Sequence, residues 1–195
     1  MKRIYLYATF WTAFLFLNFN MLSADVKLPD LPKAADTSVD GIYIGDPGSS
    51  VRVLGAKIKL IESHSDFPHV NVLNKDKTQV LVLVFHPGCV RNSFNEFRVR
   101  SVDQAFNEKA FQLKKVVSFK TGKNISLGLS REKVVSILGD GFQEKSKENL
   151  IILKYVIDNF NSSPFLKFYN MPIYYGEYQF KNNMLTKFSF GFEYP

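Results

Sequence analysis

The most constraining feature of the sequence is a short segment, "SREKVVSILG" at residues 130–139, that carries helix-capping residues at both ends. Ser130 can cap the first turn through its hydroxyl, and Gly139 can take the left-handed conformation that ends a helix. The apolar stripe between them covers only about two turns and consists of Val134, Val135, Ile137 and Leu138. Because so short a helix is not stable alone, the sequence predicts that it packs on one face of a sheet.

A second segment earlier in the chain has the same layout. Asp46 and Gly55 are nine residues apart, as are Ser130 and Gly139, and Pro47 suits the first position of a helix. The sequence therefore predicts an α+β fold of two tandem repeats, residues 40–105 and 106–195. Each repeat is expected to pack a short helical segment on an antiparallel β-sheet.

Strand patterns follow each helical segment. In the first repeat, residues 69–88 predict a hairpin and residues 93–102 a further strand. In the second, residues 149–158 predict a strand, and residues 174–194 a hairpin that turns at Asn182-Asn183. Residues 105–122 are ambiguous: their first half is compatible with a helix, and residues 113–121 favour a strand.

The N-terminus has the three-part pattern of a secretory signal. Lys2 and Arg3 precede an apolar run from Ile4 to about Leu17, and cleavage is predicted after Ala24. The alternative is that this segment stays attached as a membrane anchor. Residues 25–39 contain two prolines and little periodicity, which predicts a linker.

Charge and cysteine content limit the classes of function that the chain can have. Without Lys2 and Arg3, 23 basic residues face 18 acidic ones, a net charge of +5. These charges are scattered along the chain, and such a diffuse positive field weakly favours anionic surfaces or acidic partners. No basic helix or stacking platform accompanies these charges, so nucleic-acid binding is not expected. Cys89 is the only cysteine, which excludes an internal disulfide. It is interpreted as an unpaired loop residue, with a reactive thiol as the alternative.

The sequence predicts no catalytic residue, metal site or cofactor. His64, His69 and His86 have no accompanying ligand cluster, and surface or turn positions explain them sufficiently. No nucleophile elbow, phosphate-binding loop or zinc-binding helix motif occurs. A small hydrolase with an unrecognised active site, using His64 or Cys89, is left as an alternative.

An aromatic-rich stretch supplies the candidate binding residues. Residues 163–180 contain seven aromatic side chains among eighteen residues. The tyrosines predicted to be partly exposed and to bind a partner are Tyr169, Tyr174, Tyr175 and Tyr178. The loop 159–172 is expected to form the rim of this patch. The alternative is that the tyrosines form the second face of a strand.

Residues 125–141, "ISLGLSREKVVSILGDG", resemble segments of two groups of bacterial extracytoplasmic proteins. One is the beta-lactamase inhibitor protein family, which is built as a tandem repeat of a helical segment and a sheet. The other is the SmpA/OmlA type of envelope protein, a single such unit that belongs to the outer-membrane barrel assembly machinery. The chain departs from both, because it has neither structural disulfides nor an acylated cysteine. The resemblance implies a scaffold that presents the exposed face of a sheet and its loops to another protein.

These observations predict a periplasmic or secreted, non-enzymatic protein-binding protein of the inhibitor, immunity or escort type. Its partner is expected to be another extracytoplasmic protein, with membrane contact only through an uncleaved N-terminal segment. The main alternative is a structural component of envelope assembly that is retained by that segment.

Overall fold

The computed structural model describes residues 30–62 and 67–193. The predicted signal segment, His64 and Tyr194 lie outside the described residues. The helices are α1 (Pro47–Leu54), α2 (Arg131–Leu138) and α3 (Pro164–Tyr169). The strands are β1 (Ser38–Val39), β2 (Ile42–Tyr43), β3 (His69–Leu73), β4 (Gln79–Val84), β5 (Glu96–Ser101), β6 (Phe111–Gln112), β7 (Gln143–Lys147), β8 (Leu150–Ile157), β9 (Tyr174–Lys181) and β10 (Met184–Phe192). The predicted α+β class is confirmed.

Eight of the strands form one mixed sheet in the order β6-β3-β4-β5-β10-β9-β8-β7. All neighbours are antiparallel except β3 and β6, which are parallel. The sheet is continuous because β5 pairs with β10, so strands from both predicted repeats share one surface. The remaining two strands, β1 and β2, form a small separate ribbon.

Both capped helices are confirmed. Asp46 Oδ1 accepts a hydrogen bond of 2.8 Å from the Gly48 amide, and Ser130 Oγ accepts one of 3.3 Å from the Lys133 amide. Gly139 ends α2 with φ +88° and ψ −177°, which differs from the predicted left-handed conformation. This region of backbone space is open essentially to glycine alone, so the residue type still sets where the helix ends.

The helices and the N-terminal ribbon lie on one face of the sheet and bury its core. Fully buried residues of this face include Val72, Leu81, Phe97, Val99, Leu153, Tyr178, Phe180, Phe188 and Phe190. Val134 and Leu138 of α2 belong to the same core, as do Phe165 and Leu166 of α3. The Tyr155 hydroxyl donates a 2.7 Å hydrogen bond to the Gly139 carbonyl, which ties the end of α2 to the sheet.

The predicted linker ends inside this core. Ala35 and Val39 are fully buried, and Asp36 is almost so. The Asp36 amide donates to the Tyr174 hydroxyl at 2.8 Å, and that hydroxyl donates back to the Asp36 carbonyl at 2.9 Å. Residues 35–39 are therefore part of the folded domain. This stretch, "ADTSV", has apolar side chains only at its two ends, so the sequence shows no period there.

Two local predictions are wrong. Residues 113–121 form turns and no strand, and no helix occurs within residues 105–111, where only the short β6 is regular.

Strand β7 was not predicted, because its residues "QEKSK" are all exposed and carry no apolar alternation. Pairing with β8 along five residues is what makes β7 a strand. Within the described residues, no helix has the length and apolarity needed to cross a membrane.

Candidate functional site: the open face of the sheet

The sheet has a second face, opposite the helices, which we call the open face. Strand alternation and register place its side chains in rows that cross the strands. One row runs Arg100, Lys187, Gln179, Ile152, Lys145, and the next runs Arg98, Ser189, Glu177, Lys154, Gln143. The open face is thus polar at its centre, in contrast to the aromatic core face.

One half of the open face is covered by the chain itself. The connection from β5 to β6, residues 102–110, folds back across β4 and β3 on this side. Within it, Glu108 Oε2 accepts a 2.6 Å hydrogen bond from Asn71 Nδ2, and the Phe106 ring lies 5.8 Å from the Arg100 guanidinium carbon. Val80 and Val84, which lie on this face of β4, are fully buried. The half formed by β7 to β10 has no such cover among the described residues.

The uncovered half carries a cluster of lysines that we call the cationic patch. It consists of Lys145, Lys147, Lys154, Lys181 and Lys187. The carboxylate that faces them on these strands is Glu177, which accepts a 2.9 Å hydrogen bond from Gln179 Nε2. Of the five lysines, Lys154 has an acidic partner within the described residues, Glu193 at 3.9 Å. The patch therefore presents a net positive surface to solvent.

Tyr175 lies at the inner border of the cationic patch and is half-buried. The Lys154 ammonium lies 5.9 Å from the centre of its ring, within reach of a cation–π contact. Burial, followed by the negative charge of Glu96, raises the pKa of the Tyr175 phenol, which therefore stays protonated at neutral pH. Glu96 in turn pairs with Arg98. Tyr175 thus offers a rigid aromatic surface beside a cation.

The structure separates the four tyrosines that the sequence groups together. Tyr174 and Tyr178 are fully buried on the core face, so the expectation that they are partly exposed is wrong. Neighbouring strand residues point to opposite faces, and Tyr174 and Tyr178 share the parity of Phe180, whereas Tyr175 does not. Tyr169, at the end of α3, is half-buried in a cleft away from the open face.

The two described histidines, His69 and His86, lie in different surroundings. His69 Nε2 lies 3.4 Å from Glu108 Oε2 at the edge of the sheet, and burial lowers the pKa of His86. No group of three or more histidine, cysteine, aspartate or glutamate side chains in residues 30–62 and 67–193 is placed to hold a metal ion.

Cys89 is expected to react slowly with electrophiles at neutral pH. Burial raises the pKa of its thiol above the ordinary value, and the thiolate is the reactive form. The rate of alkylation by iodoacetamide should therefore keep rising as the pH passes 9, whereas glutathione, measured in parallel, should approach its plateau earlier. A rate at pH 7 above that of glutathione would contradict the structure and would revive the thiol hydrolase alternative.

Sequence reasoning missed the cationic patch. Alternation in "KFSF" puts Lys187 on the polar face of its strand, and that signal is present in the sequence. Lys145 and Lys147 lie on β7, which carries no apolar alternation. What brings the lysines together is the register of four strands, which local patterns do not specify. The charges therefore seemed dispersed along the chain.

No family model, no curated protein and no solved structure matches the chain. The candidate site thus depends on the geometry described above.

Proposed function

We propose that this chain is a periplasmic or secreted, non-enzymatic protein that binds an acidic surface of another extracytoplasmic protein. The uncovered half of the open face is the proposed docking surface, with the cationic patch and Tyr175 as its contact residues. An inhibitor, an immunity protein or an escort would each act in this way, by covering a surface of its partner.

The observation that carries the proposal is the grouping of five lysines on an uncovered sheet face, of which only Lys154 has an acidic partner within residues 30–62 and 67–193. Exposed lysines on a strand ordinarily serve solubility or protect an edge from aggregation. Here Lys181 and Lys187 lie on β9 and β10, inside the sheet, so protection of an edge does not explain them. A cationic face with a half-buried tyrosine matches an acidic partner, because complementary charge steers association and the aromatic ring supplies contact area.

We further propose that the fold is a tandem repeat. Helices α1 and α2 each have eight residues, a side-chain N-cap and a closing glycine with φ near +88°. Each is followed by an antiparallel meander, β3-β4-β5 and β7-β8-β9-β10, and the last strands of the two meanders pair with each other. This arrangement fits two units related by an approximate twofold axis at the centre of the sheet.

Charge reversal on the open face tests the function. We expect residues 25–195 to capture one stoichiometric acidic partner from the extracytoplasmic fraction of the source organism. The triple variant Lys145→Glu, Lys181→Glu, Lys187→Glu should lose this partner, because three attractive contacts become repulsive. Affinity of the unchanged protein should fall by about tenfold or more between 50 and 500 mM salt, since screening weakens exposed charge pairs.

A matched control variant distinguishes the loss of contacts on the open face from the effect of a lower net charge. Lys114→Glu, Lys115→Glu, Lys133→Glu changes three lysines outside the open face to glutamate and should keep the partner. Equal loss in both variants would overturn the proposed docking surface. Binding of both the unchanged protein and the control to anionic lipid vesicles, with no protein captured, would overturn the proposed partner class.

A further inference from the structure

A cleft lies away from the open face, where three separate segments meet. It is bordered by residues 43–47 before and at the start of α1, by the loop 88–95 and by residues 168–171 at the end of α3. Its volume is about 900 Å³. Sites that enclose a whole small molecule fall in the range of roughly 300 to 1,000 Å³. The cleft is therefore of the size that a small ligand needs.

Among the described residues, the lining of the cleft is largely apolar and contains no lysine or arginine. Tyr43, Val90 and Phe168 line it and are 43%, 70% and 40% exposed, which is unusual for large apolar side chains that are so close together. The charged residue of this lining is Asp46, and its carboxylate already accepts a hydrogen bond from the Gly48 amide as the cap of α1. In a chain with 25 lysines and arginines, a wall without either type disfavours an anionic ligand.

Asn95 adds an unsatisfied polar group to this wall. Asn95 is 7% exposed, and its side-chain oxygen has no hydrogen-bond partner within the described residues. The backbone N–H of Asn95 donates a hydrogen bond to the Val84 carbonyl, and the backbone carbonyl of Asn95 accepts one from the Phe192 N–H. Both backbone groups of Asn95 are therefore satisfied. A buried amide oxygen without a donor is costly, so native structures generally supply a partner for it. A donor on a ligand that reaches Asn95 from the cleft would supply one.

From the cleft and Asn95 together we propose a second binding site, for a small uncharged ligand. The ligand has an aromatic or alkyl body that packs against Tyr43, Val90 and Phe168, and an N–H or O–H group that donates to Asn95. This inference is independent of the docking surface on the open face, because it uses none of the same residues.

Two fluorescent probes of the same skeleton test the ligand class. N-phenyl-1-naphthylamine is uncharged and has one N–H donor, and 8-anilino-1-naphthalenesulfonate adds a sulfonate to it. The cleft should bind the uncharged probe at one site per chain and more tightly than the sulfonate. Bound probe should also slow alkylation of Cys89 at pH 9, because Cys89 lines the cleft. Tighter binding of the sulfonate, or an unchanged alkylation rate at saturating uncharged probe, would overturn the proposal.

A matched pair of double variants locates the probe. Val90→Glu with Phe168→Glu puts two carboxylates into the cleft, and the affinity for the uncharged probe should fall by about tenfold or more. Val117→Glu with Phe111→Glu introduces the same groups at residues of similar exposure, 61% and 36%, that do not line the cleft. Circular dichroism establishes that both variants fold. Equal affinity in the two variants would overturn the assignment of the site.

Discussion

We expect replacement of Gly191 by alanine to lower the free energy of unfolding by about 3 kcal/mol or more, the largest effect of a single methyl group in this fold. Gly191 lies on β10 opposite Glu96 of β5, at the pairing that joins the two halves of the sheet. A Cβ atom at this position would lie 2.3 Å from the Asn95 carbonyl oxygen and 2.6 Å from the Glu96 Cα. Both are backbone atoms, so relief of the contact requires β5 and β10 to separate.

Urea unfolding followed by circular dichroism measures this effect. Gly141→Ala is the matched control, because a Cβ there meets no atom within 4 Å and the residue is exposed. Its unfolding midpoint should stay within the small range typical of surface substitutions, about 0.5 kcal/mol. A Gly191→Ala variant that unfolds at the midpoint of the unchanged protein would show that β5 and β10 are not packed as described.

The pairing of β5 with β10 also marks the limit of what local sequence patterns predict. The caps of α1 and α2, the hairpin of β3 and β4, and the turn at Asn182-Asn183 are set by residues close together in the chain, and all were predicted. Asn182 and Asn183 adopt φ of +51° and +62°, as such a turn requires. In contrast, β5 and β10 are about ninety residues apart, and nothing in either strand specifies the other as its neighbour.

Long-range pairing also explains the elements that sequence reasoning missed. Strand β7 has no apolar residue and exists because β8 offers it an edge. The segment 113–121 has the apolar content of a strand, but β6 already occupies the neighbouring edge of β3. In both cases the tertiary partner decides the conformation, and local propensity does not.

The candidate site was partly predictable. Period-2 alternation in "YYGEYQFK" places Tyr174, Tyr178 and Phe180 on one face of β9, and Tyr175 with Glu177 on the other. Alternation alone therefore excludes a single patch of Tyr174, Tyr175 and Tyr178. The buried face of β9 is the one on which the helices pack, and only the three-dimensional structure shows which face that is.

The two buried tyrosines of β9 are expected to respond differently to loss of the hydroxyl. Tyr174→Phe should lower the free energy of unfolding by about 2 kcal/mol, because the Asp36 amide and carbonyl both lose a buried partner. Tyr178→Phe should leave it unchanged or raise it by about 1 kcal/mol, since the Tyr178 hydroxyl is buried without a hydrogen bond in the described residues. Burial raises the pKa of both phenols well above 10, so neutral groups are compared at pH 7.

Each variant serves as the control for the other, because both remove one oxygen from a fully buried side chain of the same strand. The aromatic packing of the two rings is retained, so the difference between the variants isolates the hydrogen bonds to Asp36. Urea unfolding at pH 7 should therefore separate them by about 2 to 3 kcal/mol. Equal stability of the two variants would mean that residues 35–39 are not held to β9 through Tyr174.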